Sequence, residues 1–284
     1  MGHINQKTSE TSDSNASLSP LDQAGSPTRF GYEWDTYADI CQDYEEQFRR
    51  WTTGLPESAW KGCNFLDVGC GMGRNSVWPM RYGASSGAAI DLDEKSLSQA
   101  RRNLKQYPSV TVRRLSVYDI DYADDFDIVY SIGVLHHLQD PQLALSKMVQ
   151  SAKPGGSVLI WVYGLENNEW IVRWLDPLRK ALFSKLPIHF VHALSIMPSA
   201  LLWLLLRLGL SRIEYFRFVR RFSFAHLRSI VFDQMLPNIA NYWSRAQVEQ
   251  LMQGAALKDV RLFWINEMSW TAIGIKPTST QSEL

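Results

Sequence analysis

The sequence predicts an α/β protein built around a doubly wound, mostly parallel sheet. Short apolar strands alternate with helical stretches between residues 60 and 163, and this order requires crossover connections between parallel strands. The first strand begins at Phe65 and leads into three glycines on alternate positions, Gly69, Gly71 and Gly73, which open a helix. Glycine permits positive φ and a close approach of the backbone to a ligand. The sequence therefore predicts a ligand site at the carboxyl end of this strand.

An acidic residue accompanies each of the first three strands. Asp67 lies two positions before the glycines, and Asp91 ends the apolar run that begins at Ala88. Asp119 closes the segment after a third strand, residues 110–115. Because a carboxylate accepts strong hydrogen bonds from hydroxyl groups, an acid at the end of the second strand suits the ribose of a nucleoside.

Further strands follow in order along the chain. A fourth strand starts at residue 126, and a Lys-Pro-Gly-Gly turn precedes a fifth at residues 157–160. Ser244 and Gln247 have the spacing of a capping box, which predicts the start of a helix. Residues 260–265 and 270–275 read as two final strands. The C-terminal part is thus expected to complete the sheet.

The glycine spacing is G-x-G-x-G, whereas dinucleotide-binding folds use G-x-G-x-x-G. With Asp67 and the ordered strands, it resembles motif I of the class I S-adenosylmethionine-dependent methyltransferases, in particular the type 11-like small-molecule family. The resemblance covers about residues 30–163 and 233–276. It implies a Rossmann-like, doubly wound, seven-stranded mixed sheet with an antiparallel last strand, and S-adenosyl-L-methionine as cofactor. The alternative is another α/β fold of the dinucleotide-binding type.

The resemblance also implies which residues contact the cofactor. Asp67 and the backbone of the glycine loop would hold the methionine part, with Arg74 near its carboxylate. Asp91 would bind the ribose, and Asp119 would accept a hydrogen bond from the adenine amino group. The full set implied for cofactor binding is Asp67, Gly69, Gly71, Gly73, Arg74, Asp91, Leu92, Tyr118, Asp119, Ser131 and Tyr37.

Aromatic residues cluster ahead of the first strand. Tyr32, Trp34 and Tyr37 lie where the resembled family often lays a helix over the cofactor. One of them would then reach the methionine end of the ligand. Plain packing into the core is the alternative for all three, because aromatic side chains bury large apolar surfaces.

Two adjacent histidines are the catalytic candidates. His136 and His137 follow the fourth strand, and a histidine has a pKa near neutrality, which suits a general base. A base is required only when the acceptor arrives protonated and is not acidic. Tyr163 and Glu166, just past the fifth strand, are further candidates for the acceptor pocket. A purely structural role for the histidine pair remains the alternative.

A long insertion separates the fifth strand from the last helix. Residues 171–230 contain ten Lys or Arg residues and two acidic residues, so this segment has a net charge of +8. Residues 186–206 lack charged side chains, but His189, His192 and Pro198 interrupt the apolar run, which disfavours a transmembrane span. Three interpretations stay open: a helical cap over the acceptor, a surface that contacts anionic membrane through residues 186–228, and a homodimer interface.

Composition excludes several other classes of function. The chain of 284 residues has 29 basic and 29 acidic residues, so net charge gives no reason to expect nucleic acid as a partner. The three cysteines form no metal-ligand cluster, and their odd number suits a reducing compartment. No metal is expected. No signal peptide is recognisable at the N-terminus, so the cytoplasm is the expected location, with contact to the membrane surface as an addition.

The expected organisation has four parts. Residues 1–28 form a disordered tail, 29–164 the S-adenosylmethionine-binding core with its N-terminal helix, 165–240 the helical cap insertion, and 241–284 the last helix with two strands. The leading hypothesis is methyl transfer to O, N or C of a small molecule enclosed by the insertion. The second is a quinone-, polyprenyl- or lipid-like acceptor at a membrane surface, and the third is an inactive cofactor-binding assembly protein.

Overall fold

The computed structural model describes residues 18–41 and 43–278, in which seven strands form one sheet. The strands are β1 (Asn64–Val68), β2 (Ser86–Asp91), β3 (Val110–Arg114), β4 (Phe126–Ile132), β5 (Ala152–Tyr163), β6 (Lys258–Ile265) and β7 (Ser269–Ile275). Their order is β3-β2-β1-β4-β5-β7-β6, with parallel pairing among the first five and antiparallel pairing at β7. The predicted seven-stranded mixed sheet is confirmed.

Helices cover both faces of this sheet and extend from β5 into the insertion. The described α-helices are α1 (Pro20–Ala24), α2 (Pro27–Thr36), α3 (Asp43–Trp51), α4 (Arg74–Arg81), α5 (Glu94–Asn103), α6 (Pro141–Ser151), α7 (Asp176–Ala181), α8 (Ile188–Leu194), α9 (Ile196–Arg207), α10 (Glu214–Val219), α11 (Phe224–Asp233) and α12 (Arg245–Gly254). A π-helical turn, Ile171–Leu175, precedes α7. Single 3₁₀ turns lie at Glu57–Trp60, Val117–Asp119, Leu135–His137 and Phe183–Lys185.

The central strands are apolar on both sides because both of their faces are covered. Leu66 belongs to the core on one side of the sheet, together with residues of α6 and α12. Phe65 belongs to the core on the other side, with residues of α3, α4 and α5. A parallel sheet buried in this way reads as continuous apolar runs in the sequence, which is why the strands could be located.

The N-terminal segment differs from the predicted tail. Residues 20–24 and 27–36 are helical, and Ser19 caps α1 by accepting a hydrogen bond from the Asp22 N–H. Gly31 lets α2 lie directly on the start of α5, since a Cβ there would come within 2.4 Å of the Asp93 carboxylate. The low apolar content that suggested disorder is offset by these caps and by close packing. Residues 1–17 of the predicted tail lie outside the described residues.

The insertion is helical and packs around two small apolar clusters of its own. One cluster joins α9, α10 and α11, and the other joins α8 and the end of α11 to aromatic residues of α2. Arg29 of α2 connects the two regions, since its guanidinium donates to the carbonyl oxygens of Phe183, Ser184, Leu186 and Leu236. The N-terminal helices and the insertion therefore form one continuous cover beside the sheet.

Candidate active site

A cavity opens at the carboxyl ends of β1, β2, β3 and β4. Its volume is about 840 Å³, a figure that includes the solvent-open mouth. The strand ends provide one wall and α1 and α2 provide a second. Asp233 at the end of α11 is the contribution of the insertion.

The glycine loop and Asp91 are joined by backbone hydrogen bonds at the floor of this cavity. The Gly71 N–H donates to Asp91 Oδ2 at 2.9 Å, and the Asp93 N–H donates to Asp91 Oδ1 at 3.0 Å. Burial raises the pKa of Asp91, and these two N–H groups oppose that rise by stabilising the carboxylate. A carboxylate has about four lone-pair sites, so Asp91 keeps acceptor capacity for a vicinal diol such as ribose.

Asp22 is a second carboxylate on the cavity wall, and it comes from the segment predicted to be disordered. Its side chain is 5% exposed. Ser116 Oγ donates to Asp22 Oδ1 at 2.6 Å, and Ser19 Oγ donates to Asp22 Oδ2 at 2.6 Å. Apolar Leu115 and Val117 flank Ser116 and line the same part of the cavity. An acid beside a flat apolar slot suits an amino-substituted aromatic base.

Aromatic side chains of α2 cover the glycine loop. Phe30 and Trp34 line the cavity, and a Cβ added to Gly71 would lie 2.9 Å from Trp34 Nε1. Arg74 lies behind Trp34, with its guanidinium carbon 4.9 Å from that ring, 4.7 Å from the Tyr44 ring and 5.3 Å from the Trp51 ring. Cation–π contacts of this kind hold Arg74 in place. Arg74 does not line the cavity, and its contact with the cofactor carboxylate stays a prediction.

Two acidic side chains meet where α2 and α11 approach the cavity. Asp233 lines the cavity, and Glu33 of α2 is only 2% exposed. A side-chain hydrogen bond between the two carboxyl groups raises the pKa of Glu33 and lowers that of Asp233. Burial raises the pKa of both and that of Glu33 further, well above its usual range. Glu33 is therefore the member of the pair that holds a proton more tightly, and Asp233 ionises before it as the pH rises.

A chain of hydrogen bonds fixes the orientation of Asp233. Tyr163 Oη donates to Asp233 Oδ2 at 3.0 Å, and Gln234 Nε2 donates to Tyr163 Oη at 2.7 Å. Tyr242 Oη in turn donates to Gln234 Oε1 at 3.1 Å. Tyr163 itself is not on the cavity wall, so this predicted pocket residue acts on the site by positioning the acid.

The two histidines have different surroundings. His137 lines the cavity, and its Nδ1–H donates to the Ile239 carbonyl at 2.8 Å, which leaves Nε2 as the free acceptor. Burial lowers the pKa of His137 to about 4, so the ring is neutral and a weak base. His136 is fully buried, stacks on Tyr163, and has no hydrogen-bond partner for its ring among the described residues. The prediction that His136 acts directly in catalysis is not supported by this position.

Several residues implied for the cofactor lie away from the cavity. Asp119 is exposed, because Ser116 caps the turn Val117–Asp119 and directs its last residue outward. Tyr118 Oη accepts from the Asp140 N–H, and Ser131 Oγ donates to the Val68 carbonyl inside the sheet. Tyr37 ends α2 and pairs with His192 of the insertion.

Asp67 and Glu166 also have structural partners. Asp67 is buried beneath the glycine loop, where its Oδ2 accepts from Ser76 Oγ at 2.6 Å and burial raises its pKa to about 7. Glu166 accepts from the Arg245 N–H and from Trp270 Nε1, which ties the start of α12 to β7. Neither lines the cavity. Of the residues predicted for the site, the wall contains Gly69, Asp91, Leu92 and His137, with Trp34 among the alternatives.

Three acids of the site were missed from the sequence: Asp22, Glu33 and Asp233. The sequence does contain a signal for the first, since Ser19, Pro20 and Asp22 have the spacing of a helix start. Glu33 and Asp233 are separated by 200 positions of chain, and no local pattern indicates that they meet.

Comparison with known proteins agrees with this geometry. Residues 66–160, which run from β1 through β5, match the family model described as a methyltransferase domain. This domain belongs to the class I S-adenosylmethionine-dependent methyltransferases. S-adenosylmethionine is its cofactor, and the residues present fit that ligand: a glycine turn at the end of β1, a diol-facing Asp91 and an apolar slot next to Asp22.

Curated relatives match this chain over about half of its length. The ubiquinone biosynthesis O-methyltransferase of Hahella chejuensis is 36% identical over 44% of this chain and 53% of its own length. The mitochondrial counterpart of Dictyostelium discoideum is 26% identical over 55% of this chain and 50% of its length. The tRNA U34 carboxymethyltransferase of Pseudoalteromonas translucida is 32% identical over 42% of this chain and 38% of its own length. The chain spans about half the length of the curated relatives it matches.

Solved structures show the same fold over most of the chain. Human N-acetylserotonin methyltransferase in complex with S-adenosylmethionine aligns with 88% of this chain and 56% of its own, at 13% identity and a TM-score of 0.53. An S-adenosylmethionine-dependent methyltransferase from Aquifex aeolicus aligns with 86% of this chain and 97% of its own, at 15% identity and a TM-score of 0.51. At these identities the likeness shows the fold alone.

Proposed function

We propose that this protein transfers a methyl group from S-adenosylmethionine to an O–H or N–H group of a small molecule that binds beside Asp233. The observation that supports this proposal is one continuous cavity, whose wall includes Asp91 of β2 and Asp233 of the insertion. A ligand-binding acid and an acid able to take a proton thus border the same space. The Asp233–Glu33 pair replaces the histidines as the principal candidate for acid–base chemistry.

Residues at the strand ends would hold the cofactor. Asp91 would accept from the ribose hydroxyls, Leu92, Leu115 and Val117 would flank the adenine, and the backbone at Gly69 would face the methionine part. Bound S-adenosylmethionine supplies an electrophilic methyl group on a sulfonium, so the protein mainly has to align the acceptor. Trp34 over the glycine loop excludes water from that part of the cavity.

A hydroxyl or amine acceptor must give up a proton when it is methylated. The carboxylate of Asp233 is oriented by Tyr163 and borders the cavity, so it can receive that proton. Its raised pKa makes it a stronger base than an exposed aspartate. His137, with a pKa near 4, is a weaker base and is better suited to accept a hydrogen bond at Nε2 from the acceptor.

The class of acceptor follows from charge and enclosure. The chain has no net charge, and the cavity is covered by α1, α2 and the end of α11, so a small molecule fits better than a nucleic acid. The ubiquinone biosynthesis relatives are O-methyltransferases by name, which is in keeping with an acceptor that is methylated on oxygen.

The proposal is tested by incubating the protein with S-adenosylmethionine labelled in its methyl group and a panel of acceptors. The panel contains phenols, catechols, alcohols, amines and bulk tRNA. Labelled product from a protic small molecule would support the proposal. Label in tRNA would contradict the assigned acceptor class, and tight cofactor binding without transfer to any member would favour the inactive assembly protein.

A further inference from the structure

Helices α8 and α9 present an uninterrupted apolar stripe to solvent. Its six members recur at alternating steps of four and three residues, which places them on one face of the helical segment Ile188–Arg207 and its C-terminal extension. They are Phe190, Leu194, Met197, Leu201, Leu204 and Leu208, each between 44% and 76% exposed. A soluble surface scatters such residues singly, and a continuous row of them indicates a contact with another apolar phase.

The opposite face of the same segment is held against the protein. Val191, Ser195, Ser199 and Leu206 are buried there, and Arg228 of α11 donates to the His192 carbonyl and to Ser195 Oγ. Ile188–Arg207 is long and apolar enough to cross a membrane, with a mean hydropathy of 1.7. A helix with one face packed on protein and the other apolar and exposed is suited to lie in the plane of a membrane surface.

A second exposed row precedes this segment. Trp170, Trp174, Leu178 and Leu182 recur at steps of four residues through the π-helical turn and α7. A π-helical turn has more residues per turn than an α-helix, so side chains four residues apart stay on one face of this segment. Tryptophan is enriched where proteins meet the boundary between lipid and water. The insertion therefore has two exposed apolar rows, one of them with tryptophans at its start.

The charged residues around the two apolar rows indicate which kind of surface binds there. No acidic residue occurs between Asp176 and Glu214. Exposed Arg173, Lys185, Arg207 and Arg212 flank the apolar rows, and none has an acidic partner within residues 18–41 and 43–278. A symmetric dimer would place such a patch against itself, so its unpaired cations would repel one another. An anionic lipid surface offers both an apolar layer and negative head groups.

We propose that α8 and α9 dock this protein on an anionic bilayer, with the stripe from Phe190 to Leu208 inserted between the head groups. Docking does not depend on methyl transfer. It would nevertheless act close to the cavity, because His192 on α8 pairs with Tyr37 Oη at 3.0 Å at the end of α2, which covers the cofactor site. An acceptor dissolved in the bilayer would then approach the cover of the cavity directly.

The test is co-flotation of the full chain with vesicles of phosphatidylcholine alone and of phosphatidylcholine with phosphatidylglycerol. We expect the protein to float with the anionic vesicles at low salt, and less at high salt. Met197→Glu with Leu201→Glu should reduce the bound fraction by about tenfold or more, because each large apolar side chain withdrawn from water contributes roughly one decade of affinity. Arg207→Glu with Arg212→Glu should remove the preference for anionic lipid.

Leu143→Glu is the matched control, because Leu143 is an exposed leucine on α6, outside the insertion. It should float as the unmodified chain does. Calorimetric titration with S-adenosylmethionine checks that each variant is folded, independently of lipid. Absence of flotation at low salt would overturn the proposal, as would flotation of Met197→Glu/Leu201→Glu at the original level. A concentration-dependent dimer that this double substitution converts to a monomer would show that a second copy covers the stripe instead.

Discussion

The central sheet and the insertion use the same apolar residue types in opposite ways. In the sheet, Leu66, Val129 and Ile160 are completely buried because helices cover both faces. In the insertion, Leu201 and Leu204 lie in the open on a helix that is packed on one side only. The sheet is covered by helices of the same chain, whereas the insertion leaves an apolar helix face exposed. The difference separates the part that contains the cofactor cavity from the part that we propose to contact the membrane.

The largest effect is expected at Asp233, the residue of the insertion that lines the cavity. Asp233→Asn should lower kcat by about 10²–10⁴-fold on a protic acceptor, because general base catalysis contributes that much, and should leave cofactor affinity unchanged. The raised pKa of Asp233 means that its base form appears as the pH rises. The wild-type rate should therefore increase with pH as Asp233 loses its proton, and the Asn variant should lack this increase.

Asp127→Asn is the control, since Asp127 pairs with Lys153 at the opposite end of β4. Its pH–rate profile should match that of the wild type. If the Asp233→Asn enzyme keeps the wild-type kcat and the same increase of rate with pH, Asp233 is not the base. His137 would then be the next candidate.

The second comparison concerns stability. Leu66→Ala should lower the free energy of unfolding by about 2–5 kcal/mol, because it leaves a cavity in a packed core. Leu204→Ala should change it by no more than about 0.5 kcal/mol, since a half-exposed side chain has little packing to lose. Urea denaturation measures both. Equal losses would show that the insertion is packed as tightly as the sheet, contrary to its exposure.

The third comparison isolates the glycine loop. Gly71→Ala and Gly62→Ala both introduce a side chain at positive φ, but a Cβ at Gly62 has no neighbour within 4 Å, whereas one at Gly71 meets Trp34. Displacing Trp34 should cost about 1–3 kcal/mol, which corresponds to roughly five- to 150-fold weaker S-adenosylmethionine binding. Gly62→Ala should bind as wild type in the same calorimetric titration. Equal affinities for the two variants would mean that Trp34 does not shape the cofactor site.

The smallest expected effect tests the N-terminal segment. Asp22→Ala should weaken S-adenosylmethionine binding by about fivefold, the equivalent of one hydrogen bond at about 1 kcal/mol. Asp35→Ala removes an acid of α2 that bonds to Gln99 and does not line the cavity, so its affinity should stay unchanged. Fluorescence competition with S-adenosylhomocysteine resolves a difference of this size. If Asp22→Ala binds S-adenosylmethionine as tightly as the wild type does, α1 has only a structural role.

Sequence reasoning succeeded where neighbouring residues determine the geometry. Gly69, Asp91 and Leu92 are next to the strands that position them, and they lie on the cavity wall. Asp119 is exposed at the end of the turn that Ser116 caps and does not line the cavity, so its role at the adenine stays a prediction.

Long-range contacts account for the other failures. Asp233 reaches the site through the packing of the insertion against α2, from far along the chain. Asp22 was overlooked because a polar segment was equated with disorder, although it carries its own helix cap. The fold could thus be predicted from local patterns, but the cavity residues Asp22 and Asp233 could not.

The most direct test of the account is a calorimetric titration of the full chain with S-adenosylmethionine, alongside an Asp91→Ala variant. We expect one site per chain in the wild type. We also expect a loss of about tenfold or more in the variant, because hydrogen bonds to a charged group contribute roughly 1.5–3 kcal/mol. Absence of binding by the wild type, or equal affinity of the two proteins, would contradict the assignment of this cavity to the cofactor.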